Sequence, residues 1–600
     1  MKPNSTSDAL APSVADREDP ATLVDPKVLE SIANSPDDIV LAVTRPIGTN
    51  TSEFTAALSE RLKLAGYAIR VIKISALVIS YYHKLNPAIS PPTVSPTHTT
   101  ASQKHPLMVA GDYLRFSFGT PVLARLAIAK IAHMRAEAVL DAKKHGQGGI
   151  AFIVTNLMHP DEVSEFRAVY KQRFFLLGVT DDLRSRRSRL MNELESSGRS
   201  KEEAAREADT LLRIDQGVLS TSSRMSTSSL SVDETFHQAD VFLDAARPTV
   251  LREELYRFFD QVFAFPFGSL SMDEIGMGHA YIAAKASGAL GRRVGAALLN
   301  NEGSVLGSGW NDPGAAGGGV YRQGKQPDYR DHHMGRDISD ELKIEAIHQF
   351  LAAILDSPSW LEDLKSVGDS EAVDWLKEFA SATKDVPIMP QRAARALPAL
   401  KDVQKTRILN LIEFGRPVHA EMAALTDTAR KGSSTQDGIM YVTTFPCHEC
   451  ARNIVAAGIS RLVFVEPYGK SMASSLYAQE ISSNEIDDPY QNNLRVKFEP
   501  YVGIAPARFD ELFSWVKRKH SASAAARDTT LSAGQIVDWE RTEGSLRASV
   551  RGYTDSDIGW GAPFNLSRLL AEQSVQKSVE ERIGSFVSLV EGGAGNDPLF

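Results

Sequence analysis

The stretch HAEMAALTDTARKGSSTQDGIMYVTTFPCHECARNIVAAGISRLVFVEP, His419 to Pro467, decides how the chain is read. EMAALTDTAR has helical spacing and runs into Arg430, Lys431 and Gly432, a pattern that stops helices. GIMYVTTF reads as a strand, and Pro446 after it is placed to open a second helix that runs through ECARNIVAA to Gly458. RLVFVEP supplies the next strand. Helix, strand, helix, strand in this order predicts an α/β domain. It also delivers Cys447 and Cys450 to the end of a sheet, in one helical turn and on one face.

Those residues carry chemistry. His419, Cys447 and Cys450 form a ligand set that suits a tetrahedral zinc ion and leaves a fourth position for water. The positive end of the second helix favours thiolate over thiol, which helps metal binding. Glu421 is too close to His419 to be a second ligand but is placed to take a proton from a metal-bound water. A lone C-x-x-C also fits a redox pair or half of a structural zinc site. A structural site needs a fourth protein ligand, and the local candidate, His448, sits between the two cysteines.

Composition bounds the rest. The chain has 600 residues, 43% hydrophobic and 24% charged, enough to bury a sizeable core and equivalent to about four domains at ~150 residues each. A net charge of −9 argues against a protein whose main work is to coat nucleic acid or anionic membrane. The first residues lack a signal-peptide core and no stretch is apolar enough to span a bilayer, so a cytoplasmic protein without membrane contact is expected. The two cysteines are the only ones in the chain and exclude a disulfide framework.

Before this region, residues 1–36 read as a flexible tail and 37–264 as an α/β domain. DIVLAVT, the turn TRPIGTNT, the helix SEFTAALSERLKLAG and the strand AIRVIKIS make a βαβ unit, hence a parallel sheet. Residues 84–106 read as a loop, with further strands at 150–157, 174–179 and 240–243, a helix at 181–192, and a low-complexity loop at 220–231. The first domain is expected to close near Phe265–Pro266. The second domain, 265–515, starts with a helix at 273–287 and the hairpin VGAALLNNEGSVLGSGW. It carries an insertion at about 320–412, helical over 338–412, and the strand LRVKFEP. Residues 516–600 read as linker and tail, with the short basic run VKRKH at 516–520.

H-x-E followed by P-C-x-x-C resembles the cytidine and deoxycytidylate deaminase superfamily, and PCHECA resembles the deoxycytidylate form. RRVGAALLNNEGSVLGSGWND extends the resemblance upstream. It implies a three-layer α/β/α fold around a five-stranded mixed sheet, zinc held by His419, Cys447 and Cys450, Glu421 as the acid/base, and Asn311 on the nucleoside. Arg292 or Arg293, Tyr468 and Lys470 are candidate phosphate or sugar contacts. The loop DYRDHHMGRD, with His332, His333 and Arg336, could cover the pocket or bind a phosphate, although a solvated polar loop is the commoner explanation.

The added N-terminal domain and the 108 positions from Asn311 to His419 depart from a plain deoxycytidylate deaminase. They resemble the bacterial anti-phage dCTP deaminases, which join a P-loop-kinase-like domain to such a deaminase. That resemblance implies conversion of dCTP or dCMP to the uracil form, depletion of the dCTP pool during infection, and a homo-oligomer. Regulation by an RNA or a phage-derived signal, received by the N-terminal domain, is a further expectation. A nucleic-acid-editing deaminase and a housekeeping dCMP deaminase are the rival readings.

TRPIGTNTS stands where a phosphate-binding loop would, with Gly48, Thr49 and Thr51 as candidate contacts to a regulatory nucleotide. It is degenerate as a Walker motif: Val43 stands where the first glycine belongs, and Thr49 where lysine should be. Kinase activity is therefore not expected.

Overall fold

The structure is a computed structural model. It describes residues 38–85, 101–145, 149–216, 230–263, 267–355, 414–466, 471–482 and 495–513, together with 265, 574, 575 and 577. The N-terminal tail, most of the low-complexity loop and of the insertion, Tyr468, Lys470 and the basic run at 516–520 lie outside the described residues.

The first sheet contains β1 (Ile39–Thr44), β2 (Ala68–Lys73), β3 (Ile150–Thr155), β4 (Phe174–Thr180) and β5 (Val241–Asp244), ordered β5-β4-β1-β3-β2 and all parallel. β1 is buried along its whole length because helices cover both faces of a parallel sheet. Leu41 and Val43 meet Phe54, Leu58 and Leu62 of helix α1 (Ser52–Leu64). Val40 and Ala42 face the opposite core, with Leu126, Phe166 and Tyr170.

The second sheet contains β6 (Gly295–Leu299), β7 (Val305–Trp310), β10 (Ile439–Thr444), β11 (Arg461–Glu466), β12 (Ile481–Ser482) and β13 (Val496–Pro500), in the order β12-β13-β11-β10-β6-β7. It is mixed: β6 is antiparallel to β7 and β10, whereas β10, β11 and β13 are parallel. The five strands expected are joined by a sixth, the two-residue β12 at the edge. A separate two-stranded ribbon pairs β8 (Asp312–Pro313) with β9 (Pro417–Val418).

One face of the second sheet, with Ala297, Leu299, Tyr441 and Val463, packs on Met277 and Ala280 of a helix at Met272–Lys285. The other face, with Ala296, Leu298, Met440 and Val442, packs on the helices Ala420–Arg430 and His448–Ala456, which carry the H-x-E and C-x-x-C residues. In chain order these three helices are α2, α3 and α4. Alternate residues of each strand therefore serve different layers.

The two sheets interlock. β14 (Gly503–Ile504), sequence that follows the second sheet, adds antiparallel to β5 of the first. Glu274 of α2 is fully buried and forms a capping box with Ser271. It also accepts from the Ile504 amide (2.9 Å) and from Arg257 on the helix Pro248–Val262. The ring of Phe242 on β5 lies 5.7 Å from that of Tyr501, so one core runs through both sheets.

Three local expectations change. The segment read as a loop at 84–106 is helical from Ala101, in a helix that contains Pro106 and runs to Phe118. Pro446 precedes the helical start: Cys447 is the N-cap of α4, so the cysteines are N-cap and third helical residue. β14 places Gly503–Ile504, which was assigned to the second domain, in the first sheet. Among the described residues, no helix is long and apolar enough to cross a membrane.

Helix α3 lies directly on β7. A Cβ at Gly309 would fall 2.4 Å from the Ala420 carbonyl oxygen and from the Ala424 nitrogen, and one at Gly307 would fall 2.6 Å from the Ala424 carbonyl. Gly309→Ala is expected to push α3 off the strand and to cost about 1–3 kcal/mol, as overpacking does. Gly291→Ala, which meets nothing within 4 Å, should stay within about 0.5 kcal/mol of wild type. Urea unfolding of both variants checks this.

Candidate active site

His419 is the N-cap of α3 and follows β9 directly. Pairing of Val418 with Asp312 fixes its approach. Cys447 follows β10, and its sulfur accepts from the Cys450 amide at 3.5 Å. Two helix starts on one face of one sheet thus bring the three residues together. His419 Nδ1 lies 3.3 Å from Cys447 Sγ and 3.3 Å from Cys450 Sγ. One nitrogen and two sulfurs converging on a single point fit zinc, and His419, Cys447 and Cys450 would hold it. His448 is not a member of that group.

Glu421, in the first turn of α3, is only 4% exposed. Burial raises its carboxyl above the usual carboxylate range. A hydrogen bond with Cys450 does most to lower the Cys447 thiol, to about 4, with His419 adding to the effect. The bond to Cys447 holds His419 up at about 8, and the hydrogen bond with Cys447, followed by burial, pushes Cys450 well up. All three groups are bases toward a metal, and a dication held by them would displace their protons.

Two supports escaped the sequence reading. Ser471 Oγ donates to the Pro446 carbonyl at 2.7 Å, and Phe445 packs edge-on against Phe464 with ring centroids 4.8 Å apart. Both pin the turn that presents Cys447. Ser471 carried no signal because it lies 25 positions beyond its partner.

Asn311 is a clamp in this structure. Its Oδ1 accepts from Val294 N (2.7 Å) and Ser287 Oγ (2.9 Å), and its Nδ2 donates to the Arg292 carbonyl (2.9 Å). Asp312 accepts from the Gly288 amide at 3.1 Å. The 287–294 loop, with Arg292 and Arg293 exposed on it, is thereby tied to the ribbon that leads to His419. Arg416, three residues before His419, pairs with Asp331 and donates to the Tyr329 carbonyl (3.1 Å). This draws the segment bearing His332, His333 and Arg336 to the same side of the domain. There Arg330 grips Asp328 and holds its carboxyl down at about 2.

The loop bearing Gly48, Thr49 and Thr51 leads from β1 into α1. Its amides are engaged by protein carboxylates: Ile47 N donates to Asp215 (2.9 Å) and Asn50 N to Asp181 (3.0 Å). Thr49 Oγ1 donates to the Pro46 carbonyl (2.7 Å), and Arg189 donates to the Gly48 carbonyl (2.9 Å). Thr51 is the N-cap of α1 and makes no side-chain capping bond. A phosphate entering this loop would have to displace two carboxylates.

Residues 270–466 match the family model of the cytidine and deoxycytidylate deaminase zinc-binding region. Over 54 residues the chain is 46% identical to the deoxycytidylate deaminase of Enterobacteria phage T2, covering 9% of this chain and 29% of that one. Over 66 residues it is 36% identical to ComE operon protein 2 of Bacillus subtilis (strain 168), covering 11% and 33%. The chain thus spans a third or less of the length of these relatives. The solved dCMP deaminase of cyanophage S-TIM5, in complex with dCMP and dUMP, aligns over 39% of this chain and 99% of that one. Its identity is 15% and its TM-score 0.20, too low to bear on the fold.

Cys450→Ser is expected to lose the zinc bound with His419 and Cys447, because a hydroxyl does not replace a buried thiolate ligand. Metal analysis of the variant after gel filtration should fall by one zinc per chain against wild type, with the helical circular dichroism retained.

Proposed function

We propose that the chain is a zinc-dependent hydrolytic deaminase acting on the cytosine ring of a deoxycytidine nucleotide, dCMP or dCTP. The observation that carries this is His419 Nδ1 at 3.3 Å from both cysteine sulfurs with buried Glu421 two residues away. Zinc, when bound, supplies the Lewis acidity that makes water nucleophilic near neutral pH.

The chain's own residues do the rest. Glu421, as the carboxylate, takes a proton from the attacking water, and because burial favours its protonated form it holds that proton and delivers it to the ring nitrogen. It then takes the second proton of that water, now the hydroxyl on the ring carbon, and passes it to the departing amine as the C–N bond breaks, so that water and a cytosine become a uracil and ammonia. The clamp at Ser287, Val294 and Asn311 shapes the wall next to His419, and Asn311, Arg292, Tyr468 and Lys470 are our candidates for holding sugar and phosphate. Identity of 46% over 54 residues to relatives named deoxycytidylate deaminase supports this substrate class. Depletion of the dCTP pool in anti-phage defence is the cellular role this reading favours.

Ammonia release from dCMP, dCTP and dAMP tests the proposal. Activity is expected with one or both cytosine nucleotides, and Glu421→Gln should lower kcat at least about 100-fold, the usual reach of a positioned acid/base, while zinc content stays at the wild-type level. Ammonia from neither cytosine nucleotide, or an undiminished Glu421→Gln variant, would sink it.

A further inference from the structure

A second group of metal-ligating side chains lies outside the His419, Cys447 and Cys450 cluster. Ligand atoms of Asp328, His332 and His333 all fall within 4.8 Å of one another. His333 Nε2 is 3.1 Å from Asp328 Oδ2. His332 and His333 are neighbours on the short helical turn Asp331–Met334, with ring centroids 4.5 Å apart. We propose that Asp328, His332 and His333 form a second site for a divalent transition ion of the zinc class, separate from the first.

The surroundings supply what metal ligands need. His332 Nδ1 lies 3.2 Å from the Gly288 carbonyl, which can only accept, so Nδ1 carries the proton and Nε2 keeps its lone pair. A histidine ligand whose other nitrogen donates to a backbone carbonyl is the usual arrangement around a bound metal. Asp328 is oriented in the same way: its side chain is 4% exposed, and both oxygens accept from Arg330 Nε, at 3.0 and 3.1 Å. The Arg330 guanidinium also lies 3.8 Å from Asp312, which offsets its charge toward an incoming cation.

The donor set names the ion class. Two imidazoles and one carboxylate favour zinc, cobalt(II) or nickel(II) over magnesium or calcium, which take oxygen ligands. The His333 side chain is 50% exposed, so water completes the shell and the ion exchanges readily. Bound there, the ion would fasten the 328–333 segment on itself. Through His332 and Gly288 it would steady the 287–294 loop, and through Asp331 and Arg416 the ribbon that ends at His419.

Cobalt(II) titration of chelator-treated full-length protein, followed by absorption, separates the two sites by their ligands. Wild type is expected to bind two equivalents, one with an intense thiolate-to-cobalt charge-transfer band and one with weak d–d bands alone. The double variant His332→Ala, His333→Ala should lose one equivalent and keep the charge-transfer band, which also reports that the second domain is folded. Cys450→Ser should lose the charge-transfer band's equivalent and keep the other, so it decides the matter if the double variant does not fold. A single equivalent in wild type, none in Cys450→Ser, or two in the double variant would overturn the second site. Each of these readouts is independent of deaminase activity.

Discussion

The backbone contact between α3 and β7 is the constraint from which the site follows. Gly307 and Gly309 put no side chain of their own between strand and helix, so the Ala420–Arg430 backbone, with Ala423 and Thr428, rests on the strand itself. Any side chain there would lift the helix, and His419 and Glu421 leave from its first turn. A metal site tolerates little displacement, because its ligands must meet within a few tenths of an ångström of fixed bond lengths. The other half of the site is held by the same sheet: β10 runs through the core beside β6 and ends at the turn before Cys447. The two halves of the ligand set thus share one rigid reference.

Glu274 does comparable work between the sheets. A buried carboxylate is costly unless it is surrounded by donors, and here an arginine and two amides from separate segments supply them. Its partners come from the helix Pro248–Val262, the start of α2 and β14, so the charge is satisfied only when the two sheets are docked. Through α2, whose other face packs on Tyr441 of β10, that docking reaches the strand leading to Cys447. The N-terminal sheet is therefore part of the frame that carries the candidate site.

The sequence made the site readable because its residues are local to helix starts. H-x-E and P-C-x-x-C each lie within a single turn, where spacing translates directly into geometry. Strands buried on both faces, such as Ile39–Thr44, were readable as continuous apolar runs for the same reason. What escaped depends on partners remote in sequence. β14 is two residues long and has no period of its own, yet it completes a sheet begun hundreds of positions earlier. The helix from Ala101 opens with polar residues and contains Pro106, so local propensity pointed to a loop, whereas Leu114 and Met108 bury its inner face. The carboxylates that engage the 45–51 loop could not be foreseen either, since Asp215 reaches Ile47 from 168 positions away.

That loop and the His/Cys/Cys cluster show opposite ways of ending a strand. At Ile47 and Asn50 the free amides, which at a helix start attract anions, are matched by Asp215 and Asp181 from the protein itself. Arg186 and Arg189 donate to the Ile47 and Gly48 carbonyls, while Arg186 Nε and Asp215 Oδ1 are buried without a hydrogen-bond partner among the described residues. At the end of β10 the balance is reversed. A nitrogen and two sulfurs converge beside a buried carboxyl, and they hydrogen-bond to one another and to the Cys450 amide. Three converging bases suit a dication, whereas the loop already holds two carboxylates where an anion would sit. The candidate site thus lies on the second sheet, and the buried contacts of Glu274 tie the first sheet to it.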